Sequence, residues 1–242
     1  MEGLEAVIGL EVHVQLRTAT KLFCACAVDV TAAPNRRVCP VCLGLPGTLP
    51  VLQGHAVDLA LRLGLACGGE AAPASRFARK SYFYPDLPRG YQITQYHEPL
   101  LRGGVVEWEG GSAPLQRMHL EEDAGRSIHD EGRTRVDLNR AGTPLVEIVT
   151  EPALRRPGEA AAFLRSLRRL VRWLGVSDGN MEEGSLRCDA NLSLRDRDTG
   201  EPGPRVEIKN LNSIKSVVAA LTHERGRQSR RRERGEEVAV QT

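Results

Sequence analysis

The sequence predicts an α+β fold: a largely antiparallel or mixed sheet with flanking helices and a cysteine-bearing loop. Three observations lead there. Residues 7–16 alternate almost perfectly, with Ile8, Leu10, Val12, Val14 and Leu16 on one face and Glu11, His13 and Gln15 on the other. That is the pattern of a strand with one buried face. The stretch "RCDANLSLRD" repeats it, setting Cys188, Ala190, Leu192 and Leu194 opposite Arg187, Asp189, Asn191 and Ser193. Residues 157–174 carry instead a helical stripe of Ala160, Phe163, Leu164, Leu167, Leu170, Val171 and Leu174, with proline at the start and Gly175 just past the end.

The remaining elements follow in chain order. After the first strand, Pro34, Pro40, Gly44, Pro46, Gly47 and Pro50 predict a loop. Residues 54–67 have helical spacing at Ala56, Val57, Ala60, Leu61 and Leu65. "KSYFYPDLPRGYQITQY" reads as an ordered loop with short strands, and "RMHLEEDAGRS" and "TPLVEIVTEP" as two strands around a turn. "RVEIK" is a further short strand, and "NLNSIKSVVAAL" opens a helix with capping residues and a stripe of Ile214, Val217, Val218 and Leu221. No internal repeat is present.

The 242 residues hold one large domain or two small ones, and 41% hydrophobic residues leave enough for a core. A net charge of +2 neither demands nor excludes a polyanionic partner. The first residues lack the charged and apolar regions of a signal peptide, and no stretch is long and apolar enough to span a membrane. A cytoplasmic protein is expected, in which clustered cysteines bind metal or react more often than they form disulfides.

Cys24, Cys26, Cys39 and Cys42 form C-x-C, twelve residues, C-x-x-C. Four thiolates in two close pairs suit a tetrahedral structural zinc that ties a glycine- and proline-rich loop. The alternatives are free thiols or a redox pair. Cys67 and Cys188 sit in apolar contexts and read as core residues.

Glu11 and His13 project side by side from one strand face. They suit shared ligation of a divalent cation or an acid–base pair, against a merely solvated face. Glu121, Glu122 and Asp123 follow one another, and Glu147 stands between Val146 and Ile148, where a carboxylate is costly unless paired or metal-bound. Together with Asp189 these residues would make an oxygen-rich site of the kind Mg²⁺ or Mn²⁺ prefers. Lys80, Arg89, Tyr82, Phe83, Tyr84 and Tyr91 mix cations with aromatics, either to hold phosphates and stack on bases or to fasten a long loop. The basic run of residues 225–234 reads as a solvated helical face rather than a nucleic-acid contact. Neither a P-loop nor a G-x-G-x-x-G motif appears.

Eight phrases in order go further: "VIGLEVHVQL", "TKLFCAC", "VCPVCLGLPG", "KSYFYPDLPRGYQITQY", "HLEEDAG", "DLNRAGTPLVEIV", "LGVSDGNMEEGSLRCDAN" and "EIKNLNS". The chain resembles the B subunit of the glutamyl/aspartyl-tRNA amidotransferases over essentially its whole length. The resemblance implies a cradle-type catalytic domain over residues 1–242. It also implies continuation into a helical domain and a tRNA-gripping tail, so that this chain would be truncated.

The implied activity is ATP-dependent phosphoryl activation of Glu or Asp on a misacylated tRNA. Ammonia from the amidase (A) subunit then amidates it, while the small (C) subunit holds the heterotrimer together. The implied cofactors are ATP and Mg²⁺, the metal on Glu11, His13, Glu121 and Glu147, with Lys80 and Glu122 also in the catalytic set. Tyr82, Tyr84, Asp123 and Asp189 would belong to a substrate or ATP loop, and Zn²⁺ on the four cysteines would be structural. Ala78 and Ser81 depart from the family's usual Asp and Asn, and Arg126 from its usual Lys. A zinc-stabilised RNA-binding module and a metal-dependent hydrolase are the competing readings.

Overall fold

The computed structural model describes residues 3–29 and 31–242; residues 1, 2 and 30, the last inside the cysteine segment, lie outside that description. The strands are β1 (Leu4–Gln15), β2 (Glu70–Ala71), β3 (Arg76–Ser81), β4 (Tyr91–Glu98), β5 (Leu101–Arg102), β6 (Val105–Trp108), β7 (Gly111–Glu122), β8 (Arg126–Asp130), β9 (Arg133–Asp137), β10 (Pro144–Thr150), β11 (Leu186–Asp196) and β12 (Val206–Leu211). The helices are α1 (Gly54–Ala66), α2 (Pro157–Trp173) and α3 (Ile214–Glu233). The main sheet runs β12-β11-β1-β10-β7-β4-β3 with every one of these pairings antiparallel, and β8 and β9 form a separate hairpin.

The period-two pattern decides which face is dry. Ile8, Leu10, Val12 and Val14 of β1 join Val146 and Ile148 of β10, Met118 and Leu120 of β7, and Cys188, Ala190 and Leu192 of β11 in one core. The helices close that same face with Leu59 and Leu63 of α1, Phe163, Leu164 and Leu167 of α2, and Val217 and Leu221 of α3. A buried Leu or Phe contributes about 1.5–3 kcal/mol through water removal, so this cluster dominates the stability.

Local signals set the helix ends. Glu159 accepts hydrogen bonds from the amides of Arg155 (2.7 Å) and Arg156 (3.2 Å) at the start of α2, and Gly175 at φ +67° follows its end. Ser213 caps α3 by accepting from the Ser216 amide at 3.0 Å.

Three expectations are refined. β7 and β10 do pair directly, but a hairpin and a return segment connect them rather than a turn. The tyrosine segment supplies two strands, β3 and β4, with residues 82–90 between them. The basic run continues α3 as expected, yet it is not wholly solvated: Arg227 pairs with Glu224, Arg232 with Asp196, and Gln228 and Ser229 are buried.

Candidate active site

The open face of the sheet collects polar residues because the same alternation that dries one face wets the other. Register places Arg187 of β11 beside His13 of β1, His13 beside Glu147 of β10, and Glu147 beside His119 of β7. This row crosses four strands. The next row toward the cysteine loop brings in Glu121, opposite Leu145, with Thr94 of β4 beside it.

His13 Nε2 lies 3.3 Å from Glu121 Oε1 and 3.7 Å from Glu147 Oε2. His119 Nε2 approaches Glu147 Oε2 at 3.4 Å, and Arg117 Nη2 stands 3.9 Å from Glu147 Oε1. One ligand atom each from His13, Glu121 and Glu147 lies within 4.8 Å of the other two. An imidazole and two carboxylates at that spacing can share one hard divalent cation.

Electrostatics point the same way. Burial, then the nearby Glu147 charge, raises the Glu121 carboxyl well above its ordinary value. Burial would raise Glu147 too, but the close approach of His119, with help from His13 and Arg117, holds it at about 2. Burial lowers His13, which keeps its imidazole neutral and available as a ligand. The neighbouring carboxyls of Glu11 and Asp189 are both raised, in each case first by burial.

The other candidate residues fall into distinct places. Glu11 shares the face but stands outside the trio, accepting a 3.1 Å hydrogen bond from Asn191 Nδ2. Lys80, on β3, lines a cavity of about 500 Å³ together with His13, Glu147, Tyr96 and Arg117. Tyr82 lines a second, larger cleft of about 950 Å³, and His13, Asp189 and Lys209 line both. Tyr84 stacks on Tyr82 at 5.0 Å and is largely exposed.

Glu122, one residue from Glu121, points away from the trio. It forms an ion pair with Arg89 and accepts from the Ile93 amide at 3.0 Å, fastening the tyrosine loop. Asp123 takes Arg187 in a two-point ion pair (2.9 and 3.0 Å), with Arg140 at 3.5 Å. His119, Arg117 and Arg187 escaped sequence reasoning. The alternation of "RMHLEE", with Met118 and Leu120 on the dry face, carried the signal for the first two.

The four cysteines come together as spacing suggested, one sulfur from each within 4.8 Å of the others. Cys39 and Cys42 sulfurs are 3.9 Å apart. Ligands about 2.3 Å from a tetrahedral zinc would lie about 3.8 Å from one another, so the donor set fits a metal such as zinc. The Cys42 thiol is held at about 4, chiefly by the hydrogen bond from Cys24 and against burial, with the Cys39 amide and the Lys21 ammonium assisting. Cys24 is pushed up by that same hydrogen bond and by burial, and burial lifts Cys26 to about 11. Lys21, fully buried, donates to Arg37 O (2.7 Å) and Leu138 O (3.2 Å) and lies 3.6 Å from Cys42 Sγ.

A family model described as the GatB/GatE catalytic domain matches residues 6–240. The chain is similar to proteins named as the B subunit of aspartyl/glutamyl-tRNA(Asn/Gln) amidotransferase. That of Thermodesulfovibrio yellowstonii is 53% identical over 243 residues, covering 98% of this chain and 51% of the relative. That of Anaeromyxobacter sp. (strain K) is 53% identical over 249 residues, with coverage of 100% and 51%. That of Thermus thermophilus is 56% identical over 240 residues, with coverage of 98% and 51%. The chain thus spans about half the length of the curated relatives it matches. With the match running from within β1 past the end of α3, and every residue of the polar row inside it, the chain belongs to the GatB/GatE catalytic domain family.

Proposed function

We propose that this chain carries the activating step of a tRNA-dependent amidotransferase. The side-chain carboxylate of Glu or Asp, esterified to tRNA(Gln) or tRNA(Asn), attacks the γ-phosphorus of ATP; the bond to ADP breaks and an acyl phosphate forms. Ammonia then attacks the acyl carbon, phosphate leaves, a proton is lost, and Gln-tRNA or Asn-tRNA results. The observation that carries this reading is the trio of His13, Glu121 and Glu147 at the boundary of two clefts. Two buried carboxylates beside a neutral imidazole would be costly without a cation.

His13, Glu121 and Glu147 would hold Mg²⁺, and Glu11 and Asp189 line the adjoining cavity. Bound there, Mg²⁺ supplies charge neutralisation on the transferring phosphates. The chain's own groups do the rest. Lys80 and Arg117 place positive charge in the smaller cavity, where phosphate oxygens need it. Tyr82 and Asp123 form part of the larger cleft, where the aminoacyl end would sit. Zn²⁺ on Cys24, Cys26, Cys39 and Cys42 would be structural.

The relatives' names make each of them one subunit of several, which supports partners for this chain. These would be the amidase (A) subunit, which supplies ammonia, and the small (C) subunit, all in the cytoplasm. No helix among the described residues is long and apolar enough to cross a membrane. An RNA-binding module without chemistry has no need of a buried Glu121–Glu147 pair, so the polar row favours catalysis.

The test uses the full-length protein assembled with its natural partners. Phosphate release from Mg·ATP is measured with Glu-tRNA, Asp-tRNA, uncharged tRNA or none, in wild type and Glu121→Gln. Release that requires a charged tRNA and is lost in the variant is the expected result. Release without tRNA would transfer the site to a hydrolase, and tRNA binding without any release would leave only the binding module.

A further inference from the structure

The outer turn of the cysteine loop is fastened to residues 136–140, the end of β9 and the return segment after it. Asn139 is the knot. It is 1% exposed, and both ends of its amide group are engaged: Oδ1 accepts from the Arg37 amide (2.9 Å), and Nδ2 donates to Ala32 O (3.1 Å) and Ala33 O (2.9 Å). Asn35 reaches back from the loop. Its Nδ2 donates to Val136 O (2.9 Å), its Oδ1 accepts from the Leu138 amide (2.8 Å), and its own amide donates to Asp137 Oδ1 (3.1 Å). Asn35 holds φ +59°, a left-handed conformation that asparagine tolerates better than most residues. Lys21 adds its bonds to Arg37 O and Leu138 O.

The residue after Asn139 is Arg140, which lines the larger cleft. Its guanidinium donates to Ala124 O (2.9 Å) and Gly125 O (2.7 Å) and touches Asp123, the partner of Arg187. Gly142 N donates to Asp123 O and Asp123 N to Thr143 O, at 2.9 and 2.8 Å. A connected path therefore runs from the cysteine loop by hydrogen bonds to Asn139, along the chain to Arg140, and by an ion pair to Asp123 and its partner Arg187 beside His13.

We propose that Asn139 is a positioning residue of the cleft: through it the four-cysteine loop fixes Arg140 and the Asp123–Arg187 pair in place. The proposal rests on reading the cleft as the reaction site. Loss of zinc is then felt at the cleft wall, although no cysteine of the quartet lines it.

The experiment is peptide-resolved hydrogen exchange on the full-length protein in its natural assembly, zinc-loaded and chelator-stripped, with residues 157–173 of α2 as internal reference. In wild type, stripping zinc speeds exchange in residues 121–125 and 138–143 by about tenfold or more, while α2 is unchanged. In Asn139→Ala, which keeps all four sulfurs, zinc content is retained, those segments already exchange fast, and stripping adds less than about twofold. A purely structural asparagine would give additive effects of zinc and substitution. Additivity, or a wild-type cleft wall indifferent to zinc, overturns the proposal. Should Asn139→Ala fail to fold, Asn139→Asp keeps the acceptor for Arg37 and loses both donors. It should show intermediate coupling, and wild-type coupling there would equally overturn the inference. Exchange does not depend on turnover, so failure of the assigned activity would be seen separately, in phosphate release.

Discussion

Glu147→Gln tests the electrostatic design of the site most directly. Carboxylates of Glu121 and Glu147 offer oxygens no more than 4.8 Å apart. Two like charges at that distance repel by about 3.5 kcal/mol at an effective dielectric of about 20. Without a cation the pair therefore keeps one proton, on Glu121, whose carboxyl is raised by burial and by Glu147. A metal held by the proposed trio would have to displace that proton. Wild-type affinity for Mn²⁺ or Mg²⁺ should rise by about tenfold per pH unit below the raised Glu121 value and level off above it. Glu147→Gln removes the charge of one proposed ligand and one cause of the Glu121 shift. Affinity should fall by about 100-fold or more at neutral pH, and the pH-dependent rise should move to lower pH. Titration of free Mn²⁺ by electron paramagnetic resonance across pH 5–9 measures both. An affinity independent of pH in wild type, or an unmoved profile in the variant, would refute the reasoning.

Stability of the metal-free protein should run the opposite way with pH. Glu121 is raised in the folded state above its ordinary 4.5, so the unfolded chain loses its proton first. This contribution is fully present below about pH 4.5 and is lost as pH climbs through the folded value; thermal melting with and without Mn²⁺ should show the loss and its reversal. Cys39→Ser or Cys42→Ser should abolish bound zinc by metal analysis and lower the melting temperature, whereas Cys67→Ser should leave zinc content unchanged. Arg187→Met leaves the buried Asp123 carboxylate with the Ala124 amide at 3.0 Å and Arg140 at 3.5 Å, and should cost about 2–3 kcal/mol in denaturant unfolding, less than for a fully buried pair because Arg187 is 31% exposed. Gly125→Ala would put a methyl 2.8 Å from Asp137 O and 3.0 Å from Asp86 O, both backbone atoms. It should cost about 1–3 kcal/mol and loosen the clamp of Arg140 on Gly125 O.

Legibility in the sequence followed the range of the interaction. The wet face of β1 was readable at Glu11 and His13 because alternation is local. The same rule correctly joined Cys188 and Ala190 to the core and set Asp189 opposite them. Glu121 and Glu122 show its limit: adjacent in sequence, they looked like one acidic cluster, yet the pleat sends one to His13 and the other to Arg89. His119 stood in plain view in "RMHLEE" but gains meaning only when register sets it beside Glu147. Arg187 and Asp123 are a pair 64 residues apart, and Lys21 meets Leu138 O across 117. Nothing in local pattern announces such partners, because they depend on which strands become neighbours. The cysteine cluster was the exception, since its four members lie within one short loop.

The placement of β1 has a consequence for how the chain is made. β1, made before every other described strand, sits between β10, which begins at Pro144, and β11, which begins at Leu186. Both of its edges stay unpaired, and Ile8, Leu10, Val12 and Val14 stay without their covering layer, until most of the described chain has been synthesised. Pairing across such separations is slow, and a bare apolar strand is a template for aggregation. A nascent chain of this protein should therefore engage holding chaperones through β1, and let go of them only after residue 196 has cleared the exit tunnel.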